Sequence, residues 1–247
     1  MTARRLSLAL ALAALPALAA AQSKADAFAG KIPPVSGQLF RTGGRFELTL
    51  SGAMSLNDAF YTKYFGTAKA TYHFGEFWSA GAYASGGTAV LSGSSVLCSS
   101  NTGCTNASDS QLWQVPGRIL YVVGAEAGWT PVYAKLNVLS EQVGHFDLTI
   151  LAGPDLIFHE KILSRQDAAV VAQDGGTPGS ESTIGGHVGL AARFFLSPWI
   201  ALRLEFKDYI YGVTVPNNPA VGTDYQNQLF TELGVSFFFP TRNPSAR

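Results

Sequence analysis

The chain has 247 residues, with 17 basic and 17 acidic side chains and only 14% charged residues. Balanced charge excludes the basic field that a nucleic-acid partner needs to displace counterions from phosphates. Low charge combined with 26 glycines and 12% aromatic residues is unlike a soluble helical enzyme and fits a β protein with many tight turns and a partly apolar exterior.

In chain order, residues 1–21 read as a secretory signal peptide. Arg4 and Arg5 form a positive start, residues 6–15 are apolar, Pro16 breaks the run, and Ala19-Ala20-Ala21 precedes the expected cleavage ahead of Gln22. The run is short of the ~20 apolar residues a membrane helix needs, and no lipobox cysteine follows it. Residues 22–43, with Pro33-Pro34, are expected to form an extended periplasmic segment. A barrel domain is expected over residues 44–239 and a tail over 240–247.

From Gly44 onward the pattern has period two, the repeat of a strand with one apolar face. Phe46, Leu48 and Leu50 alternate with Arg45, Glu47, Thr49 and Ser51. Over residues 64–74, Gly66, Ala68, Ala70, Tyr72 and Phe74 oppose Phe65, Thr67, Lys69, Thr71 and His73. Residues 78–91 and 115–129 are β-like with less regular alternation. Residues 146–152 set Phe146, Leu148 and Ile150 against Asp147 and Thr149, and residues 187–196 set Val188, Leu190, Ala192 and Phe194 against His187 and Arg193. Residues 200–207 set Ile200, Leu202, Leu204 and Phe206 against Ala201, Arg203, Glu205 and Lys207. The last strand, 229–239, sets Leu229, Leu233, Val235, Phe237 and Phe239 against Phe230, Glu232, Gly234 and Ser236.

These segments predict an all-β fold: an eight-stranded antiparallel up-and-down transmembrane β-barrel, each strand near the ~10 residues that a tilted membrane strand needs. With the chain starting in the periplasm, the links at 55–62, 86–114, 159–186 and 212–228 fall outside. Those at 75–77, 130–144 and Ser197-Pro198 fall inside. Such barrels have short periplasmic turns and long external loops, and only 130–144 is too long for that rule unless the flanking strands continue below the membrane. No helix-period stretch long enough to cap a sheet is read.

Soluble barrels also alternate, so the placement of charge discriminates. The expected lumen network is Arg45, Glu47, Lys69, His73, Arg118, Glu126, Asp147, Arg193, Arg203, Glu205, Lys207 and Glu232. The opposite face is a belt of Phe, Leu, Ile and Val, larger than a water-soluble monomer tolerates but favourable against lipid, with mixed-sign charges paired inside. Trp78, Trp129, Trp199, Tyr209, Tyr211 and Phe239 are expected in interfacial girdles, and the Phe237-Phe238-Phe239 terminus is of the kind read by outer-membrane assembly machinery. An eight-stranded lumen holds only its own side chains, so a diffusion pore is not expected.

Cys98 and Cys104, in a Ser/Asn/Thr/Gly-rich stretch, are expected to close a loop disulfide in an oxidising compartment. His159-Glu160 begins like a zincin helix, but position 163 is leucine. No G-x-S-x-G elbow or phosphate-cradling glycine motif is present. A hydrolytic set from His73, Asp147 or His187 with a serine is the weaker reading, since polar lumen residues are normally structural. The expectation is therefore no enzyme, no catalytic residue, no cofactor and no metal.

Gly44-Arg45-Phe46-Glu47-Leu48, Asn57-Asp58, Phe60, Tyr72-His73-Phe74 and Glu76 together resemble the myxobacterial outer-membrane β-barrel domain family. Trp129-Thr130-Pro131-Val132-Tyr133, His145-Phe146-Asp147, Arg203 and Asp208-Tyr209 extend the resemblance over nearly all of the expected mature chain. The resemblance implies a barrel in the outer membrane of a Gram-negative bacterium. Some barrels of that kind are parts of the adventurous gliding-motility machinery, with periplasmic or outer-membrane protein partners. A structural or anchoring role is the first expectation, a surface-loop binding or adhesion barrel the second, and a narrow channel or small enzyme the third.

Overall fold

Period-two segments joined by turns have one way to satisfy every backbone edge, which is to close on themselves. The computed structural model describes residues 40–241 apart from 94, 100–102, 114, 116–117, 139–141, 215 and 217–222. Eight strands form a closed antiparallel barrel: β1 (Phe46–Ser55), β2 (Tyr61–His73), β3 (Trp78–Leu91), β6 (Ile119–Val138), β7 (Gln142–Glu160), β8 (Ser180–Ser197), β9 (Ile200–Thr214) and β10 (Thr223–Phe239). Each pairs with its neighbours along the chain, and β1 closes the ring on β10 from Phe46↔Phe239 to Ser55↔Phe230. A separate hairpin of β4 (Val96–Ser99) and β5 (Gly103–Asn106) holds the expected Cys98–Cys104 disulfide. The short helices α1 (Asp109–Leu112) and α2 (Arg165–Gln173) lie in the two longest links. Among the described residues no helix is long and apolar enough to cross a membrane, which says nothing of strands. The expected signal peptide, residues 1–21, lies outside the described residues, as do most of the 22–43 segment and of the 240–247 tail.

The strands are longer than their alternation predicts. The 130–144 link is mostly strand: β6 runs on to Val138 and β7 starts at Gln142. They form a hairpin that projects past β3, whose pairing with β6 ends at Trp78↔Trp129. At the other end β8 starts at Ser180 and β10 at Thr223, well inside the expected 159–186 and 212–228 loops, β7 and β9 run on to Glu160 and Thr214, and β6 begins at Ile119 instead of Val115. Helix α2 was not legible as an amphipathic stretch, yet its ends are specified locally. Ser164 Oγ accepts from the Asp167 amide at 3.1 Å, and Gly175, at φ 67°, stops the helix.

The core is the barrel interior, and it has three layers. At the short-turn end Phe195, Ala201 and Phe238 pack with Phe40 and Tyr133. The charged residues fill the middle. Toward the long loops Phe65, Ile119, Val122, Ile157, Tyr211, Val213 and Phe230 form an apolar plug. Ile162 packs on that plug, Leu163 donates its amide to the Trp113 carbonyl at 2.9 Å, and so the two helix-bearing loops meet over the mouth. The triple phenylalanine divides by parity: Phe238 is buried in the lumen, while Phe239 points outward and is half exposed.

Candidate functional site

Inward parity on β1, β2, β6, β7, β8, β9 and β10 carries the charges to one level. Of the twelve expected network residues, eleven are at most 5% exposed. The exception is Arg118, which stands before β6, keeps a 29% exposed side chain and reaches Glu160 at 3.4 Å. It belongs to the long-loop end, where a register shift between Ile119 and Tyr121 breaks the parity that turns Val122 and Glu126 inward.

Glu47 is the hub. Its two carboxylate oxygens receive Arg193 Nη1 at 2.6 Å and Arg203 Nη1 at 2.9 Å, with His73 Nε2 at 2.7 Å. Arg193 grips Asp147 with two parallel hydrogen bonds of 2.9 Å, the geometry a guanidinium is shaped for. Arg203 also donates to Glu205. Lys69 bridges Glu205 at 2.8 Å and Glu126 at 2.9 Å. Lys207 lies 3.4 to 3.6 Å from Glu205, Glu232 and Glu126. Arg45 sits at the short-turn end, where its guanidinium donates to the carbonyls of Arg41, Phe238 and Pro240 and lies over the Phe238 ring. It ties the start of the barrel to its last strand.

Desolvating so many ions is expensive unless each finds several opposite partners. The lattice supplies them: four cations (Lys69, Arg193, Arg203, Lys207) stand against five carboxylates (Glu47, Glu126, Asp147, Glu205, Glu232), while Arg45 is held by backbone carbonyls. Chemically this arrangement braces the wall and fills the lumen. The three residues considered for hydrolysis are engaged elsewhere. His73 binds Glu47, Asp147 binds Arg193, and His187 pairs with Asp155 at 2.9 Å. The hydroxyl bonded to Asp155 is that of Tyr83, at 2.6 Å. Among the described residues no group of three His, Cys, Asp or Glu side chains is placed to hold a metal ion.

Sequence reasoning missed Tyr83, Asp155 and the buried Lys63–Asp58 pair. The signal was present for Asp155: the inward parity of Asp147 and Thr149 continues through Leu151 and Gly153 to it. Gly124 makes room for this cluster, since a Cβ there would collide with Asp155 Oδ1 and lie 2.8 Å from the Tyr83 ring.

The exterior is apolar around the same level, with Phe46, Leu50, Ile150, Leu190, Phe206 and Leu233 at 44–60% exposure. Trp78 stacks on Trp129 and Trp199 on Phe237 at the short-turn end. Tyr209 and Tyr211, expected in a girdle, are inward and buried, because β9 places odd-numbered residues inside. Near the long loops a cleft of about 300 Å³ is lined by Asn57, Asp58, Phe60 and Asn227. Its polar groups serve the turn itself: Asn57 accepts from the Leu229 amide, and Asp58 from those of Phe60 and Tyr61.

No protein-family model matches the chain, and no curated protein matches it. Among solved structures it is similar to the N-terminal β-barrel domain of Pseudomonas aeruginosa OprF, at 10% identity over 80% of this chain and 98% of that one, TM-score 0.47. It is also similar to Neisserial surface protein A, at 11% identity over 78% and 94%, TM-score 0.38. A third is the attachment invasion locus protein Ail of Yersinia pestis, at 12% identity over 80% and 99%, TM-score 0.36.

Proposed function

We propose that this chain is a non-enzymatic barrel of a Gram-negative outer membrane with a structural, anchoring role in an envelope complex. One observation carries the reading. At a single level of the barrel the exterior is an apolar belt, and nine ions paired with one another occupy the interior. In water that belt would be an exposed patch far beyond the few hundred Å² a monomer tolerates. Facing acyl chains it is favourable, and the closed ring leaves no backbone edge unsatisfied in lipid. The filled interior supports a structural role over conduction, since plugs of aromatic and aliphatic side chains stand above and below the ions. The resemblance to the myxobacterial family supports membership of an envelope complex and extends to gliding-motility machinery. Residues 1–21 are the export signal in this reading.

Membrane fractionation is the direct test: the folded, heat-modifiable form should sediment with outer membranes and begin at Gln22. Recovery of a monodisperse protein without detergent would end the proposal. Affinity purification from solubilised membranes should then yield stoichiometric periplasmic or outer-membrane partners. A second reading, a surface-binding barrel, draws on the disulfide-closed β4–β5 hairpin and the α2 loop at the long-loop end. Deleting residues 96–106 or 165–176 should abolish surface binding if that reading holds.

A further inference from the structure

The two ends of the lumen are closed by unequal means. Toward the long loops the apolar plug is deep: β9 alone stacks Tyr209, Tyr211 and Val213 inward. At the short-turn end β8, β9 and β10 each add one side chain to the buried layer, Phe195, Ala201 and Phe238. The charge lattice lies directly behind it. The Phe238 ring centroid is 5.9 Å from the Arg193 guanidinium and 5.9 Å from the His73 ring. Phe40, which belongs to no strand, packs against this layer from below.

Phe40 reaches the layer by crossing the mouth. In the ring order β1 stands opposite β7, with β8 next to it. Phe40 precedes β1 in the chain, yet its ring stacks on Phe195 of β8 at 5.3 Å and meets His145 of β7 edge-on at 5.0 Å. The near end of the crossing is a tight turn. Gly44, at φ 75°, lets the Arg45 amide bond the Thr42 carbonyl at 3.2 Å, and its own amide donates to the His73 carbonyl at 2.8 Å. Glu76, between β2 and β3, accepts from the Thr42 and Gly43 amides at 3.0 and 3.3 Å. The buried Arg45 guanidinium donates to the Arg41 carbonyl at 3.2 Å.

We propose that residues 40–44 are a strap across the periplasmic mouth, latched by Phe40, whose release opens the charge lattice to the periplasm while the wall stays closed. The strap is separable because no strand pairing runs through it: the ladder of β1 begins at Phe46. Its ties to the wall are the Gly44 amide, the side chains of Glu76 and Arg45, and the Phe40 ring contacts. Opening such a segment costs far less than unfolding the sheet. Covalent order sets the direction of release, since tension on the chain before Phe40 acts on the latch before it reaches β1. The word periplasmic rests on the outer-membrane reading above; the closure itself needs only the barrel.

A reporter behind the layer tests this in the whole protein in detergent micelles. Ser236→Cys suits the purpose, because Ser236 is inward, fully buried and paired with Thr49. The native cysteines are held in their disulfide. With the strap intact the reporter should resist a small charged methanethiosulfonate reagent, and rapid reaction would overturn the closure. Adding Phe40→Ala and Glu76→Ala should speed the reaction by roughly tenfold or more, through loss of ring contacts and of hydrogen bonds to a carboxylate. The heat-modifiable form should persist, and equal rates in the two folded proteins would overturn the latch. Amide exchange of the wild type decides the matter without any variant. The Thr42 and Gly43 amides should exchange well before those of Leu48 and Leu50 in β1. Exchange in step with Leu48 and Leu50 would make the strap part of the wall and end the proposal. Neither readout involves a partner, so failure of the envelope-complex reading would leave both unchanged.

Discussion

The middle of the lumen and its long-loop end are lined by the same strands but by opposite chemistry. On β9 the inward residues Arg203, Glu205 and Lys207 give way to Tyr209, Tyr211 and Val213. Outward, Leu202, Leu204 and Phe206 give way to Asp208, Ile210, Gly212 and Thr214. Strand β10 turns over at the same height, from Glu232 inward and Leu233 outward to Phe230 inward and Asn227 outward. The difference teaches that polarity follows the surrounding solvent rather than the fold. Where the proposed bilayer surrounds the wall, ions are stable only inside; above it, water takes more of the polar side chains and the interior becomes largely aromatic and aliphatic, with the buried Lys63–Asp58 pair and His159 as polar exceptions.

Breaking the ionic half should have the largest effect. Glu47→Leu leaves Arg193 and Arg203 without their shared carboxylate, and the loss of a partner from a buried pair costs about 3–5 kcal/mol. Urea unfolding of protein refolded into liposomes measures this; a loss below about 1 kcal/mol would mean the lattice is not holding the wall. Next comes the belt. Leu202→Arg places a charge against lipid, at roughly 2–4 kcal/mol near the bilayer midplane, and should block assembly. Normal assembly of Leu202→Arg, together with an Arg203→Leu variant that matches wild type, would reverse the two faces.

The apolar half is the more forgiving. Ile157→Val removes one buried methylene and should cost about 0.5–1.5 kcal/mol, whereas Ile150→Val on the exterior should be nearly silent in the same urea titration. Equal effects would mean that the outer plug is not packed as a core. The smallest change is expected from Cys98→Ser with Cys104→Ser. Their hairpin shares no ladder with the barrel, so barrel stability should move by less than ~0.5 kcal/mol. In the wild type both thiols should resist alkylation until reduced, and free thiols in the native protein would remove the loop closure.

Much of this was legible in the chain because a strand's side chains alternate with period two. Parity alone assigns Glu47, Lys69, Asp147, Arg193, Arg203, Glu205, Lys207 and Glu232 to one face and the belt to the other. The same parity would have placed Asp155 inside, but the segment beyond Ala152 lacks a clean belt and reads as the approach to a loop. The extra lengths of β7 to β10 escaped for the same reason: above the belt both faces are of mixed polarity, and the hydrophobic signal fades while the hydrogen-bond ladder continues. Tyr209 and Tyr211 lie near a strand end, where an aromatic suits a girdle, but their odd positions on β9 turn them inward.

The amino-acid order by itself determined which side chains share a face, because that depends only on backbone pleating. Closure of the ring decided who meets whom. It sets Lys69 against Glu205 across 136 positions and Arg193 against Glu47 across 146. Those pairings depend on strand register and on the width of the lumen, which are properties of all eight strands together and are written in no one of them.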